Sequence, residues 1–412
     1  MEYLHQNIKW QQETGSIADR PWDVVVVGAG PAGAIAACHL AAHHHRVLLL
    51  DRKKFPREKV CGDGVLPDAL RCLDAIGVGE NVRAAGHQMG TSVLFSPSRH
   101  EVEIPGEYLT IKRSHLDMII AQKAVESGAV FAHGDVQQLA VEPDGRVSFA
   151  IQEFNRPIHA RIGIVATGVD IRLMKTCNWP VRTKPSGVAI RCYVRSSHVL
   201  DRLIISFAIR KRAAIFGYGW IFPLGDGEYN VGFGILTPHR VRKSNINLKT
   251  NFKNFIDSFP LARELMQKSD GATGLRAAAL RYDFEGAYPF VKGPVVAAGE
   301  TIGTTLPFLG EGIGKAMESG QLAAEVIGRA LNADDLSQLS QYSLQIESRY
   351  KTRYQGYRMA EKWLARSWLN DFLLYRCGKS NYAREILAGV IAETNNPHDI
   401  FSLKGVIKTF WN

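Results

Sequence analysis

The sequence lacks the spacings that mark several classes of protein. Its six cysteines are scattered and include no Cys-x-x-Cys pair, which argues against a disulfide framework and a structural zinc site. No zinc-finger, RNP or heptad pattern favours nucleic acid. No Ser/His/Asp set or metal-ligand spacing stands out either. We therefore expect a globular cytoplasmic protein of 412 residues with free thiols, no bound metal and no nucleic-acid partner.

Long apolar runs are also scarce. Residues 1–20 carry several charges and no apolar run, so they do not predict a signal peptide. Residues 24–45 lack Asp, Glu, Lys and Arg, but Gly28, Gly30, Pro31 and Gly33 interrupt them. This pattern predicts a buried strand, a tight turn and a helix rather than a membrane span. Peripheral membrane association stays open.

Positive charge is concentrated in one segment, which we call the basic band. Residues 171–220 hold ten Lys or Arg, among them Arg210, Lys211 and Arg212, against one acid, Asp201, in a chain of net charge +10. Such a band favours an anionic partner, either a phosphate or an anionic membrane surface. The alternative is a solvated sheet face.

A glycine motif near the start predicts dinucleotide binding. Gly28, Gly30 and Gly33 form G-x-G-x-x-G between the valine-rich strand at 22–27 and an alanine-rich helix. The first glycine permits the turn, the second lets a pyrophosphate approach, and the third lets helix and strand pack closely. Asp51 ends the next strand, where a carboxylate can hold a ribose hydroxyl.

Further motifs resemble a known family. Residues 299–303 (GETIG) and 307–313 (PFLGEGI) are similar to the second flavin motif of aromatic-hydroxylase-type flavoproteins, and residues 218–223 (YGWIFP) resemble the Y-x-W-x-F-P signature of the geranylgeranyl reductase family. This sequence departs from the family at Glu300, where Asp is usual, and at Ile215, where Pro is usual. Ala166-Thr-Gly168 lacks the Asp of the hydroxylases, which favours the reductase.

The resemblance implies FAD as cofactor and a set of residues that bind it. The electron donor, NADPH or ferredoxin, stays open. The FAD site is expected to comprise Gly28, Gly30, Pro31, Ala32, Gly33, Asp51, Arg52, Cys61, Gly62, Arg113, Val136, Ala166, Gly168, Glu300, Pro307, Gly310, Gly312 and Ile313.

Two features point to the reaction. Cys61 lies in a glycine-flanked loop near Lys59, which we expect to lower the pKa of the thiol, and it is the candidate proton donor. The alternative is a small side chain that packs near the flavin ring. Tyr218, Trp220 and Phe222 alternate at strand spacing, and the family match makes them candidate lining for a large apolar substrate. Aromatic residues on a strand are otherwise ordinary core.

The expected fold is α/β: a three-layer Rossmann-like FAD domain, an antiparallel substrate domain and a helical C-terminus. The FAD domain is assigned to residues 22–180, with a β-rich insertion at 85–112, and to residues 291–330. The substrate domain takes 181–290 and the helical region 331–412. A helix is predicted over Ser114–Ser127 with Ser114 as its N-cap.

Three functions remain open. The first is reduction of carbon–carbon double bonds in an isoprenoid or similar apolar chain. The second is monooxygenation or halogenation of a hydrophobic aromatic or polyketide-like molecule. The third is a non-catalytic FAD-binding protein at a membrane surface. Fold does not decide among them.

Overall fold

Two sheets and a helical C-terminal region make up the computed structural model, which describes residues 11–12, 17–209, 216–236 and 247–411. The seventeen strands in these residues are β1 (Gln11–Gln12), β2 (Trp22–Val27), β3 (Val47–Asp51), β4 (Gly64–Val65), β5 (His87–Phe95), β6 (Glu101–Thr110), β7 (Val130–His133), β8 (Val136–Val141), β9 (Val147–Ile151), β10 (Ile158–Val165), β11 (Gly187–Ser196), β12 (Leu203–Ile209), β13 (Phe216–Gly225), β14 (Glu228–Leu236), β15 (Ser269–Leu280), β16 (Val291–Lys292) and β17 (Val295–Ala297). The α-helices in the same ranges are α1 (Pro31–Ala42), α2 (Pro67–Ala75), α3 (Gly79–Ala85), α4 (Arg113–Glu126), α5 (Arg172–Thr176), α6 (Leu248–Ser258), α7 (Pro260–Gln267), α8 (Ile313–Asn332), α9 (Ser340–Leu364), α10 (Ser367–Lys379), α11 (Asn381–Ile391) and α12 (Leu403–Trp411).

The first sheet carries the glycine motif. Its strands run in the order β1-β7-β3-β2-β10-β17-β16, with β9 joined to β10 and β8 to β9. Every pair from β1 to β17 along this order is parallel. The valines of β2 are buried because helices cover both faces of a parallel sheet, as their unbroken apolar run predicts. Helix α1 packs against α8 and α4.

The second sheet is mostly antiparallel. Its order is β15-β11-β14-β13-β12-β5-β6-β4, and its pairs are antiparallel apart from β12 with β5. Strands β5 and β6 come from the predicted insertion at 85–112 and extend this sheet. The expected α/β class is confirmed. The predicted domain bounds remain a proposed division.

The C-terminal region is helical, as expected, in α9 to α12. One helix start was predicted wrongly. Helix α4 begins at Arg113, and its N-cap is Lys112, which makes no side-chain capping bond. Ser114 therefore lies inside the first turn. Arg113 is the first helical residue because its guanidinium hydrogen-bonds the Asp117 carboxylate one turn later.

The basic band is less basic in three dimensions than in sequence. Acids from outside the segment neutralise several of its members, and Arg191 is buried. The ion pairs are Arg172 with Asp170, Arg182 with Glu285, and Arg202 with Glu103. Arg210, Lys211, Arg212 and Ile215 lie outside the described residues.

No helix in the described part of the chain is long and apolar enough to cross a membrane.

Candidate active site

A cavity of about 540 Å³ lies between the two sheets and brings most of the predicted site residues together. The glycine motif, Asp51, the Cys61 loop and the start of α8 line one side. The second sheet lines the other. Of the predicted residues, Gly33 and Pro307 do not line the cavity. The lining set includes Gly28, Gly30, Pro31, Ala32, Asp51, Arg52, Cys61, Gly62, Arg113, Val136, Ala166, Gly168, Tyr218, Trp220, Phe222, Glu300, Gly310, Gly312 and Ile313.

The three motif glycines have distinct roles. Gly28 has a φ of +104°, and a Cβ there would lie 2.3 Å from the Ala166 oxygen. A Cβ on Gly33 would lie 1.9 Å from the Gly28 oxygen, so this glycine lets α1 pack against β2. Gly30 differs, because a Cβ there would meet nothing nearer than Arg57 Nη2 at 3.8 Å and would enter the cavity. That space is what the pyrophosphate of a dinucleotide needs, so the residues present fit FAD.

Asp51 is held by its own loop. Its Oδ2 accepts a hydrogen bond from Ala29 N at 3.0 Å, and its Oδ1 accepts one from Lys53 N at 2.9 Å. Arg57 Nε lies 3.1 Å from Oδ2. Asp51 therefore shapes the turn around the motif, and its carboxylate lines the cavity.

Arg57 is a site residue that the sequence reasoning missed. Its guanidinium joins Asp51 to Asp117, whose Oδ2 lies 3.0 Å from Nη1, and it donates to the Ala29 oxygen at 2.9 Å. It is a single arginine in a loop rich in charge, so no spacing identifies it. The charge of Arg57 faces the same space as the motif, where a pyrophosphate would be stabilised.

Cys61 lies between two groups that stabilise negative charge. Burial raises the pKa of the thiol, and the nearby Arg113 guanidinium and the Asp63 backbone N–H lower it only in part. The expected effect of Lys59 is wrong, because Lys59 Nζ lies 3.7 Å from Glu300 Oε2 and pairs with that carboxylate instead. Cys61 is consequently a protonated thiol at neutral pH, next to a cation.

A buried polar network lies behind this loop, and the sequence reasoning missed it. Asp63 Oδ2 accepts hydrogen bonds from Tyr193 Oη and Asn230 Nδ2, each at 2.8 Å. Burial raises the pKa of Asp63 despite these bonds. Asn230 also donates to the Cys61 oxygen and accepts from Trp220 Nε1, both at 2.9 Å. The network fixes the Cys61 loop against the second sheet. Its members are far apart in sequence, so no local pattern signals it.

Glu300, at the position of the usual aspartate, has partners on two other segments. Its Oε1 accepts a hydrogen bond from Arg281 N at 3.2 Å, and its Oε2 faces Lys59. A Cβ on Gly168 would lie 3.5 Å from Oε2. The longer side chain still reaches the cavity between these elements.

The start of α8 combines a helix N-terminus with a buried carboxyl group. Gly312 is the N-cap residue, and Glu311 Oε1 accepts a hydrogen bond from Gly314 N at 2.9 Å. Burial raises the pKa of Glu311 well above its usual value. The start of α8 lines the cavity, so the positive end of the helix dipole would favour negative charge on a bound group there.

A lysine-centred cluster supports this helix from behind. Lys315 pairs with Glu393, with Glu318 at 2.7 Å and with Asp68 at 3.4 Å. The three carboxylates offer ligand atoms within 4.8 Å of one another. Because the ammonium group already contacts all three, the arrangement is a buried ion cluster rather than a site built for a metal.

Tyr218, Trp220 and Phe222 all line the cavity and form an aromatic ladder on β13. Their ring centroids are separated by 6.1 Å and 6.2 Å. Gly232 on β14 makes room for the indole, since a Cβ there would lie 2.1 Å from Trp220 Cζ2. Inward residues of β12 continue the apolar wall, namely Leu203, Ile205 and Phe207. The second sheet thus supplies an apolar roof opposite the glycine motif.

Two family models match the chain. A model described as an FAD binding domain matches residues 21–162, and one described as a geranylgeranyl reductase catalytic domain matches residues 187–271. The first range also includes β4, β5 and β6 of the second sheet, and the second range begins at β11. The first match contains the glycine motif and Cys61, and the second contains the aromatic ladder.

Named relatives resemble most of the chain. A menaquinone reductase of Mycobacterium tuberculosis is 32% identical over 77% of this chain and 78% of its own length. One from Mycolicibacterium smegmatis is 31% identical over 74% and 76%. Digeranylgeranylglycerophospholipid reductase 2 of Methanopyrus kandleri is 28% identical over 77% and 79%.

Solved structures share the fold. A geranylgeranyl bacteriochlorophyll reductase-like protein from Thermoplasma acidophilum has a TM-score of 0.74 at 19% identity, covering 95% of this chain and 96% of its own. A flavin-dependent brominase has a TM-score of 0.75 at 18% identity, covering 95% and 99%. At such identity the likeness shows the fold alone.

Proposed function

We propose, from the premise that the chain belongs to the geranylgeranyl reductase family of FAD-dependent oxidoreductases, that it reduces carbon–carbon double bonds in the isoprenoid chain of a membrane lipid. Its enzyme class follows from the family. The substrate rests on one observation in particular: a single cavity joins the glycine motif to an apolar roof, with the Cys61 thiol between them. A long apolar chain fits such a roof, and names of relatives point to quinone and phospholipid carriers of that chain.

The reaction adds a hydride and a proton across the double bond. FAD held by the glycine motif would, in its reduced form, supply the hydride. Cys61 donates the proton from its sulfur to the other carbon, since its raised thiol pKa keeps the proton on sulfur at neutral pH. The thiolate left behind is stabilised by Arg113 and by the Asp63 N–H, and solvent returns the proton.

The aromatic ladder positions the chain. Trp220 and Tyr218 present flat apolar faces, and the Tyr218 hydroxyl is tied to the Leu309 oxygen beside α8. Asn230 fixes both the indole and the Cys61 backbone. Chain and proton donor are thereby held in one geometry, which lowers the entropic cost of reaction.

Product mass tests the proposal. Purified holoenzyme, reduced chemically under anaerobic conditions, is incubated with menaquinone and with a geranylgeranyl lipid. The products are analysed by mass spectrometry after reoxidation in air, which returns any quinol to the quinone, so that a remaining gain of two hydrogens lies in the isoprenoid chain. Gain of hydrogen is the expected result. Gain of oxygen or halogen on a hydrophobic aromatic substrate after admitting air and halide would support the second function. No product with full flavin occupancy would support the non-catalytic one.

The electron donor is proposed to be NADPH or ferredoxin. Mixing oxidised holoenzyme with each in turn and following the loss of flavin absorbance distinguishes the two. Bleaching by one at a rate at least equal to turnover identifies the donor. Slower bleaching by both would exclude them.

An anionic membrane surface is proposed as the source of substrate. Helix α12 exposes Leu403 and Ile407, 78% and 57% accessible, beside the exposed Lys404 and Lys408. The helix begins next to Phe401, whose ring lies 6.0 Å from that of Phe308 in the cavity wall. An apolar stripe flanked by lysines suits the membrane interface, and each cation near an anionic bilayer is worth about 1 kcal/mol.

Liposome sedimentation tests the membrane proposal. We expect binding to anionic but not to neutral liposomes, lost in 1 M salt, where the Debye length falls to about 3 Å. The double variant Lys404→Glu, Lys408→Glu should bind more weakly. The triple variant Arg210→Glu, Lys211→Glu, Arg212→Glu should also bind more weakly. Equal binding to both liposome types, or to neither, would contradict the proposal.

A further inference from the structure

Arg191 is a buried cation with no carboxylate in direct contact in the described part of the chain. Its side chain is 1% exposed, and the residue lines the cavity from β11. Its Nη1 donates to the Gly274 oxygen at 2.7 Å, and its guanidinium carbon lies 4.1 Å from the centroid of the Tyr193 ring. Within the described residues, no carboxylate forms an ion pair with it inside 4.0 Å. An unpaired buried charge is costly, so a protein retains one mainly where a partner arrives.

The unpaired atoms of Arg191 form one edge. Nε and Nη2 are buried and have no hydrogen-bond partner. The N–H groups on these two atoms point in parallel. The same two atoms of another arginine, Arg113, donate to both oxygens of Asp117. Asp63 is the nearby acid and feels the charge of Arg191, but its oxygens accept hydrogen bonds from Tyr193, Asn230 and the Arg113 N–H rather than from the Arg191 edge. The free edge therefore matches a ligand that offers two oxygens on one atom.

The backbone is shaped around this guanidinium. Strands β11 and β15 shift register between Arg191 and Tyr193. Gly274 lies in this bulge with a φ of +62°, and a Cβ there would come within 3.2 Å of Arg191 Nη1. The bulge turns the Gly274 carbonyl to the arginine and leaves room for it. Bulges beside active sites commonly re-aim a side chain in this way.

From this geometry we infer that Arg191 binds an oxyanion, phosphate or carboxylate, attached to the apolar chain that enters the cavity. The inference rests on the proposed function for the chain and adds the head group. Leu203, Ile205 and Trp220 supply the apolar part of the same cavity. A chain that carries a phosphate or carboxylate matches both parts, whereas a quinone carbonyl offers one oxygen to an edge built for two.

A binding titration tests the inference without any reduction. Oxidised holoenzyme is titrated with saturated ligands that differ only in the head: phytanyl phosphate, phytanic acid and phytanol, with the flavin spectrum as readout. The phosphate or the acid should bind about 10- to 100-fold more tightly than the alcohol. Whichever binds more tightly identifies the oxyanion. Equal binding of all three would overturn the inference, whether or not the enzyme reduces double bonds.

Variants separate binding from a structural role. Arg191→Met should abolish the preference for the oxyanion, and Arg191→Lys should retain part of it. Arg276→Met is the matched control, because Arg276 is the register partner of Arg191 on β15 but is solvent-exposed and pairs with Glu58. It should bind all ligands as the wild type does. Because Arg191→Met also removes the hydrogen bond to the Gly274 oxygen and the cation near Asp63, its Tm without ligand is measured beside the head preference. A lower Tm with an unchanged head preference would overturn the inference.

Discussion

Replacing Cys61 with Ala should slow turnover without releasing FAD. The side chain lies in a loop that backbone and network contacts hold, chiefly the bond from Asn230 to the Cys61 oxygen. The substitution therefore removes the sulfur and leaves the loop in place. A positioned proton donor contributes about 10²- to 10⁴-fold. We expect the upper part of this range, because the cavity roof is apolar and water is a poor substitute donor there.

The pH profile gives a second readout for the same change. Burial raises the pKa of the thiol above its ordinary value of 9.0, so the donor stays protonated up to at least that pH. The wild-type rate should be flat through neutral pH and fall only above pH 9, as the thiol loses its proton. The Ala variant should lack that descending limb.

The assay is anaerobic reoxidation of the reduced flavin by an isoprenoid substrate in a single turnover. Cys177→Ala is the control, since Cys177 is also partly buried but is not among the lining residues, and its thiol bonds to the backbone oxygens of Leu173 and Met174. Unchanged reoxidation by Cys61→Ala, with full flavin content, would refute the proton-donor role and assign the residue to packing.

Three further substitutions test the rest of the site. Gly30→Val should abolish FAD binding, because the branches of the valine side chain would enter the pyrophosphate space. Gly90→Val is the control and should purify with normal flavin absorbance, since a Cβ there meets nothing within 4 Å. Normal flavin content in both variants would contradict the role of the motif. Trp220→Ala should cost about 3–5 kcal/mol of stability and weaken substrate binding, with FAD retained. Phe233 is about equally buried on the opposite face of the sheet, so Phe233→Ala should lower only stability. Equal losses of substrate affinity in the two variants would show that the indole is ordinary core. Lys315→Met should cost about 3–5 kcal/mol by leaving its carboxylates unpaired, measured by chemical denaturation, and a loss under 1 kcal/mol would show that the cluster is not supporting α8.

The Lys315 cluster also gives a pH dependence. Burial raises the pKa of Asp68 to about 6, so between pH 3.8 and 6 the folded protein binds more protons than the unfolded chain. The contribution of Asp68 to stability is therefore complete below this window and falls as pH rises through it. Lys315→Met removes the cation that opposes the shift, so the decline should extend to higher pH.

The glycine motif and the aromatic ladder could be predicted because their requirements are local. The tight turn, the approach of a pyrophosphate and the close packing of the helix each require a residue without a side chain. Gly28, Gly30 and Gly33 meet these requirements at a fixed spacing. Alternation along one strand likewise places Tyr218 and Trp220 on one face.

The remaining site residues depend on partners distant in sequence. The role of Arg57 depends on its ion pair with Asp117. The role of Asp63 depends on hydrogen bonds from Tyr193 and Asn230 of the second sheet. The ion pairs of Arg172, Arg182 and Arg202 in the basic band could not be predicted for the same reason, because their acids come from other segments. Lys59 is near Cys61 in sequence, but the fold directs it to Glu300.

The most direct measurement of the central claim is the stoichiometry of a single anaerobic turnover. Reduced holoenzyme is mixed with a geranylgeranyl lipid that carries no quinone ring, and flavin reoxidation is compared with the mass of the lipid. The account predicts that each flavin reoxidised yields one lipid double bond saturated, with a gain of two hydrogens. Reoxidation without a change in lipid mass, or no reoxidation until oxygen is admitted, would contradict it.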